Sequence, residues 1–298
     1  MPFFSTSSAK GLTQSQIHFF HKNGYLHLSN ELSVNTCRSL RQRAMHHVEQ
    51  FQQIASTSPT NESTQNLADR AFLSSSDRIH CFYEKEALDQ DGKLLVPPHN
   101  AISKIGHNLH NLDVLFQRIS YSNRVQEILK SLEYRRPVAI QSMFLFKQPH
   151  IGDAVNPHQD GSFLATNPQS VIGFWWALQD CTVENGCLWG LSGSHRSIPI
   201  QQRFRRTTQS EFETTGKMVT FDSQRPISVT CDVPILAKAG DAVLLHNAFV
   251  HSSEQNKSER SRHAFTLHVI ETKDTTYEAE NWLQPEKGIN SLPVMYST

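Results

Sequence analysis

The 298-residue chain has no excess of charge: 28 Lys and Arg balance 28 Asp and Glu, for a formal net charge of +0. Neutrality removes the electrostatic footprint that nucleic acid or an anionic membrane surface would need, so neither is expected as a partner. No uninterrupted apolar stretch approaches the ~20 residues of a spanning helix. Met1 to Lys10 is too short and too polar to form a signal-peptide core. Cysteine is scarce, and Cys37, Cys81, Cys181, Cys187 and Cys231 are scattered, odd in number and without a C-x-x-C pair. That is the usage of a reducing compartment rather than a disulfide framework. The last four residues, Met295-Tyr296-Ser297-Thr298, are not the peroxisomal address Ser-Lys-Leu. Fixed-period repeats, a Walker loop and a dinucleotide fingerprint are all missing. What survives is a soluble, cytoplasmic, globular protein, long enough to bury a core without disulfides. Its 16 histidines are the compositional hint of chemistry.

Local signals organise the chain. Thr13-Gln14-Ser15-Gln16 has the form of a capping box and Gly24 of a stop, which predicts a helix over 13–23. A strand is expected at Tyr25 to Leu28. An amphipathic helix is expected from Val34 to about Ala55, with Leu40, Ala44, Val48 and Phe51 on one stripe. Residues 56–68 read as a surface loop. The spacing of Ile102, Ile105, Leu109 and Leu112 predicts a second helical block over Ala101 to Leu132. From Pro137 the texture becomes short β-type runs: Val138–Phe146, Val171–Leu178, Gly186–Leu191, Ile227–Val233, Ala242–Leu245 and His263–Ile270. Helices first and strands afterwards argue an α+β fold, with a mainly β sandwich or barrel braced by N-terminal helices. With no linker in view, residues 1–298 are expected to form one domain.

The chemistry starts at Asn156-Pro157-His158-Gln159-Asp160. In a strand, residues two apart share a face, so His158 and Asp160 can aim at one point. An imidazole and a carboxylate so placed are two thirds of the 2-His-1-carboxylate triad that binds Fe(II) and leaves positions open. His47-Val48-Glu49 has similar chemistry but falls in a predicted helix, where positions two apart diverge. The third ligand has two candidates, His246 and His251. His251 is favoured because Arg262 follows it by eleven residues across the turn Asn256-Lys257-Ser258-Glu259. If the two flanking strands pair antiparallel, Arg262 enters the same cavity and can hold the far carboxylate of a dicarboxylate. Ser253 lies on the His251 face and adds a hydroxyl; His246 reads as structural.

These residues carry a resemblance. His158-Gln-Asp160, His251 and Arg262 are similar to the Fe(II)/2-oxoglutarate oxygenases of the phytanoyl-CoA dioxygenase family. Supporting stretches span most of the chain, among them Lys104-Ile-Gly-His107, Gln141-Ser-Met143, Glu184-Asn-Gly-Cys-Leu-Trp189 and Glu280-Asn-Trp-Leu-Gln-Pro285. The resemblance implies a double-stranded β-helix, or jelly roll, and metal ligation by His158, Asp160 and His251. It further implies cosubstrate contacts at Lys104, Met143, Trp175, Ser253 and Arg262. In Phe174-Trp175-Trp176 the two indoles face opposite sides of a strand, and the family selects Trp175. Lys104, read on its own, is a solvated charge on a helix, and Met143 is core packing. Where the family usually has Pro-Gly-Ser-His, this chain has Ser192-Gly193-Ser194-His195, which alters a turn and no ligand.

The implied reaction consumes O2 and 2-oxoglutarate, releases succinate and CO2, and hydroxylates a small-molecule substrate, with ascorbate as a reductant. Asp160 favours hydroxylation, since a small residue there would open a position for chloride, as in halogenating relatives. Two other readings stay open: a non-catalytic jelly-roll protein that keeps metal or 2-oxoglutarate as a structural ligand, and a zinc hydrolase with the same ligands. Arg203-Phe204-Arg205-Arg206 reads as a solvated loop in preference to a phosphate- or CoA-binding patch. Cys181 and Cys187 read as buried, inert thiols.

Overall fold

In the computed structural model, which describes residues 10–55, 70–90, 92–223 and 227–298, the N-terminal signals act as read. Thr13 and Gln16 exchange backbone-to-side-chain hydrogen bonds and start the helix Gln14–Asn23. Gly24 ends it at φ 82°, and a Cβ there would meet His195 Nδ1 at 2.5 Å, so the turn and the close approach both require glycine. The helix Val34–Ala55 buries Leu40, Ala44 and Val48, as its stripe predicts. The surface loop expected at 56–68 lies outside the described residues.

Strands β1 (Tyr25–Leu28), β2 (Ile79–Tyr83) and β3 (Ile102–His107) precede β4 (Pro137–Leu145). Then come β5 (Val155–His158), β6 (Thr166–Asn167), β7 (Ile172–Ala177) and β8 (Leu188–Gly190). The remainder are β9 (Phe204–Arg206), β10 (Val219–Phe221), β11 (Val233–Ile235), β12 (Ala242–His246), β13 (His251–Ser253), β14 (Ala264–Glu271) and β15 (Thr276–Tyr277). The larger sheet runs β1-β12-β7-β14-β4-β3-β2 and the smaller β11-β8-β13-β5. From β4 to β14 the chain passes between them: β4 large, β5 small, β7 large, β8 and β11 small, β12 large, β13 small, β14 large. This winding is a double-stranded β-helix. The fold is α+β with a mainly β core, in the jelly-roll architecture expected.

Two expectations need correction. The block Ala101–Leu132 is not all helix: Ile102–His107 is β3, and helix is confined to Leu109–Leu112, Val114–Ser120 and Asn123–Ser131. β3 sits between β2 and β4, so neighbours on both edges and burial of Ile102, Ile105, Gly106 and His107 override its helix-like spacing. β2 is a further strand not expected from the sequence, whereas β1 falls where a strand was expected. The run Ile227–Val233 is also not a strand along its length; only Val233–Ile235 pairs, against β8.

Alternation along the large sheet separates two apolar layers. Phe174, Trp176, Leu244, Phe265 and Leu267 pack against Leu40, Phe116, Ile128 and Leu129 of the helices. Each such side chain stabilises the fold by ~1.5–3 kcal/mol through burial. Trp175 and Leu245 face the other way, into the space between the sheets, where they meet Leu188 of the smaller sheet. The helices thus brace one face and leave the opposite face to line a cavity.

Candidate metal centre and its cavity

β5 and β13 are antiparallel neighbours, and their register sets His158 opposite His251, with ring centroids 4.2 Å apart. The chain leaves β5 at His158, and Asp160 opens the short 3-10 turn Asp160–Ser162. The two residues therefore do not share a strand, as first read; the carboxylate returns to the imidazole from the turn. Asp160 Oδ1 lies 3.8 Å from His158 Nε2 and 3.7 Å from His251 Nε2. These gaps are too long for hydrogen bonds and leave space for an ion between the three atoms. The ligand atoms of His158, Asp160 and His251 all lie within 4.8 Å of one another.

Backbone carbonyls set the imidazole tautomers. His158 Nδ1–H donates to the Asn156 carbonyl at 2.9 Å, and His251 Nδ1–H to the Phe249 carbonyl at 3.1 Å. A carbonyl only accepts, so each Nδ1 carries a proton and each Nε2 is the ring atom turned toward Asp160. This outer support is the kind metal-binding histidines use. Burial, with the neighbouring His251 adding to it, pushes His158 down to about 4, which keeps its ring neutral. Burial alone would raise the Asp160 carboxyl, but the imidazoles of His268 and His251 hold it well below the usual carboxylate range. Two imidazoles and one carboxylate form a set suited to a divalent first-row metal with open positions.

Arg262 reaches the same cavity by a different route from the one expected. β13 belongs to the small sheet and β14 to the large one, so the two do not pair. The segment between them carries Arg262 across the gap. The guanidinium is only 2% exposed, donates from Nε to the Gly186 carbonyl at 3.0 Å, and lies 5.4 Å over the Trp175 ring. Arg262 Nη1 and Trp175 Nε1 are buried without a hydrogen-bond partner. Buried donors left unpaired are costly. Two such donors side by side fit a ligand carboxylate, which is the group 2-oxoglutarate would bring. Trp176 instead packs in the helix-side core, as the opposed indoles require.

The remaining expected contacts share the cavity but differ in setting. Ser253 Oγ accepts from Lys147 Nζ at 2.9 Å, and the same ammonium donates to the Asp153 carbonyl at 2.6 Å. Burial brings Lys147 down to about 7, with Arg262 pushing in the same direction. Met143 lines the cavity from β4. Lys104 is neither on a helix nor solvated: it is on β3, with Nζ 5.4 Å from the Phe82 ring centre and 5.7 Å from that of Phe72. Burial brings it down to about 8. The cavity holding all these groups has a volume of about 1290 Å³.

Other histidines separate by environment. His246 lies away from the cluster, with its ring 4.9 Å from that of His195 and Nδ1 accepting from Ala248 N–H, in keeping with a structural role. His47 turns to Asp113 at 2.8 Å and shares nothing with Glu49. His268 was not singled out from the sequence. Its Nε2 stands 3.3 Å from Asp160 Oδ2, across from Gly173, where a Cβ would come 3.0 Å from that oxygen. The alternation Arg262, Ala264, Thr266, His268 already placed it on the cavity face. Lys147 is a second omission, which nothing in the sequence set apart from other lysines.

The basic run is spoken for. Arg203 pairs with Asp222, Arg205 makes a two-pronged pair with Glu211, and Arg206 donates to the Trp282 carbonyl. All five cysteines are buried and unbridged. Burial raises Cys181 to about 12 and Cys187 to about 11, which makes them inert. No described helix is long and apolar enough to cross a membrane.

Comparison with known proteins follows the same line. The sequence profile of the phytanoyl-CoA dioxygenase family (PhyH) matches residues 20–264. A phytanoyl-CoA dioxygenase of Arabidopsis thaliana is 40% identical over 285 residues, 95% of this chain and 98% of its own length. The phytanoyl-CoA dioxygenase domain-containing protein 1 of Bos taurus is 41% identical over 296 residues, 96% of this chain and 99% of its own. Among solved structures, SnoK, a non-heme alpha ketoglutarate dependent carbocyclase from nogalamycin biosynthesis, aligns with TM-score 0.63. It covers 99% of this chain and 96% of its own at 17% identity, a likeness of fold.

Proposed function

The chain belongs to the phytanoyl-CoA dioxygenase family of Fe(II)- and 2-oxoglutarate-dependent oxygenases, and from that premise we propose that it hydroxylates a C–H bond of a small organic molecule. Residues 1–298 act as one oxygenase unit in this reading. The observation that carries it is the pair of carbonyl-anchored imidazoles whose Nε2 atoms stand 3.8 and 3.7 Å from one carboxylate oxygen. His158 Nε2, Asp160 Oδ1 and His251 Nε2 would hold Fe(II). Arg262 and Trp175 would take the far carboxylate of 2-oxoglutarate, with Ser253, Met143 and Lys104 completing its surroundings.

Bound there, Fe(II) and 2-oxoglutarate supply the oxidising power for R–H + O2 + 2-oxoglutarate → R–OH + succinate + CO2. The chain's own part is positioning. The Asn156 and Phe249 carbonyls hold the two rings by their Nδ1–H groups, with Nε2 facing Asp160. Asp160 contributes one negative charge to the set. The five buried, unpaired thiols fit a reducing compartment such as the cytoplasm.

The test is succinate release by purified protein with Fe(II), ascorbate and 2-oxoglutarate. Turnover above the metal-free blank, lost in Asp160→Ala, is the expected result. Full iron-dependent turnover in that variant would overturn the ligand assignment. Binding of metal and 2-oxoglutarate without any succinate would favour a non-catalytic jelly roll, and activity with zinc without oxygen a hydrolase.

A further inference from the structure

The wall of the cavity beside the metal set is made of aromatic rings. Phe163 stands edge-on to the His158 ring, with centroids 5.9 Å apart and planes at 83°. From Phe163 the contact continues to Phe204 at 5.6 Å and Phe221 at 5.8 Å. Phe204 and Phe221 are direct cross-strand partners in the β9–β10 hairpin, 5.1 Å apart. Phe204 in turn reaches Phe72 at 6.2 Å. All four line the cavity and are only half-buried, so apolar ring surface remains open to whatever enters it. The volume of about 1290 Å³ exceeds the ~300–1,000 Å³ of ordinary small-molecule pockets, leaving room beside 2-oxoglutarate.

The same hairpin argues against a phosphate-bearing ligand. Its three arginines are engaged, with Asp222, Glu211 and the Trp282 carbonyl. Of the other cations lining the cavity, Lys147 holds Ser253 and the Asp153 carbonyl, and the Lys104 ammonium lies 5.7 and 5.4 Å from the Phe72 and Phe82 ring centres. A flat ring gains most from rigid ring walls, since each offset or edge-to-face contact adds ~0.5–1.5 kcal/mol beyond area burial.

We propose that Phe163, Phe204 and Phe221 form the specificity-determining subsite for the primary substrate, and that this substrate is a planar, apolar ring compound without a phosphate or CoA group. The inference rests on the oxygenase reading above, which supplies the reaction; the residues on the hairpin supply the selection. A ring held against Phe163 presents its C–H bond next to His158, where the oxidising power would be delivered.

The experiment is calorimetric titration of the full chain with 2-naphthol, performed with and without Ni(II) and 2-oxoglutarate, in wild type, Phe204→Ala, Phe221→Ala and Phe204→Leu. Saturable binding to wild type is expected, weakened about tenfold in either alanine variant, the equivalent of one or two lost ring contacts. Phe204→Leu keeps bulk and removes the ring, so a loss there as well separates stacking from mere filling; near-UV circular dichroism and the melting temperature report that each variant is folded. Equal 2-naphthol binding in all four proteins, or none to the wild type, overturns the subsite. Palmitoyl-CoA that displaces 2-naphthol and drives succinate release overturns the exclusion of CoA substrates. Failure of Ni(II) and 2-oxoglutarate to bind, with 2-naphthol binding and its Phe204 dependence intact, sinks the cofactor reading while leaving the ring subsite standing.

Discussion

Asp113 and Asp160 are both buried carboxylates faced by imidazoles, and the contrast between their surroundings separates a structural cluster from a metal-ready one. Asp113 Oδ1 accepts from Leu115 N–H at 3.0 Å, as the N-cap of the helix Val114–Ser120. Its Oδ2 accepts from Arg43 Nε at 2.5 Å and from His47 Nε2 at 2.8 Å. Asp160 faces three imidazoles where Asp113 pairs with one, His47: the Nε2 atoms of His158 and His251 stand 3.8 and 3.7 Å from Oδ1, and that of His268 stands 3.3 Å from Oδ2. At Asp113 the histidine gives its proton to the acid. At Asp160, His158 and His251 give their Nδ1 protons to the backbone and turn Nε2 inward. Residue type is the same in both places; the destination of the imidazole proton differs.

That contrast can be broken most severely at the metal set. Asp160→Ala is expected to lower 2-oxoglutarate turnover and Ni(II) affinity by more than the ~10–100-fold typical of losing an outer-shell partner, with a melting temperature no lower than wild type. Steady-state succinate assays and differential scanning calorimetry check the two halves. A large loss of stability would place Asp160 with Asp113 as a structural acid.

Asp113→Ala should do the reverse. It removes a helix cap and both side-chain partners, and is expected to destabilise by about 2–3 kcal/mol, below the ~3–5 of a fully buried pair because Arg43 is 36% exposed and can be rehydrated. Nickel and 2-oxoglutarate affinity should not change. The pH dependence gives an independent check. Burial alone would raise the Asp113 carboxyl, but hydrogen bonds from His47, Arg43 and the Leu115 N–H hold it well below the usual range. A depressed folded-state value contributes stability that is complete above the unfolded ~3.9 and lost as pH falls below it. The stability gap between wild type and Asp113→Asn should therefore shrink from pH 6 to pH 3 in urea melts; a gap that widens would contradict the assignment.

Arg262→Leu sharpens the site without touching the metal ligands. Loss of one charge-assisted hydrogen bond, ~1.5 kcal/mol, predicts about a tenfold higher KM for 2-oxoglutarate, with Ni(II) affinity kept. The smallest effect is ligand stabilisation. Ni(II) with 2-oxoglutarate at about ten times Kd should add ~1.4 kcal/mol, a rise of roughly 2 °C in wild type and Asp113→Ala, and none in Asp160→Ala.

Much of this was legible in the chain. The capping box at Thr13, the Leu40–Ala44–Val48 stripe and most of the later strands followed local rules, because each lies where propensity and burial agree. β3 did not: Ile102, Ile105, Leu109 and Leu112 keep helical spacing across a strand and the helix after it, so a non-local neighbour, β4, decided the conformation. The nearness of His158 and Asp160 was readable, whereas the turn that joins them was not. His251 and Arg262 were paired correctly in space for a reason that proved different, since His251 is on the smaller sheet and Arg262 on the segment that leads from it into the larger one. Choosing Trp175 over Trp176 required the family likeness, because alternation says that one indole turns inward without saying which.

The register that seats His158 opposite His251 has one more consequence. Strand side chains alternate faces, so sliding β5 by a single residue along β13 would turn its imidazole outward and present Pro157 in its place. Nickel uptake by the purified chain would thus count correctly threaded molecules, serving as an assay of how faithfully the smaller sheet has assembled.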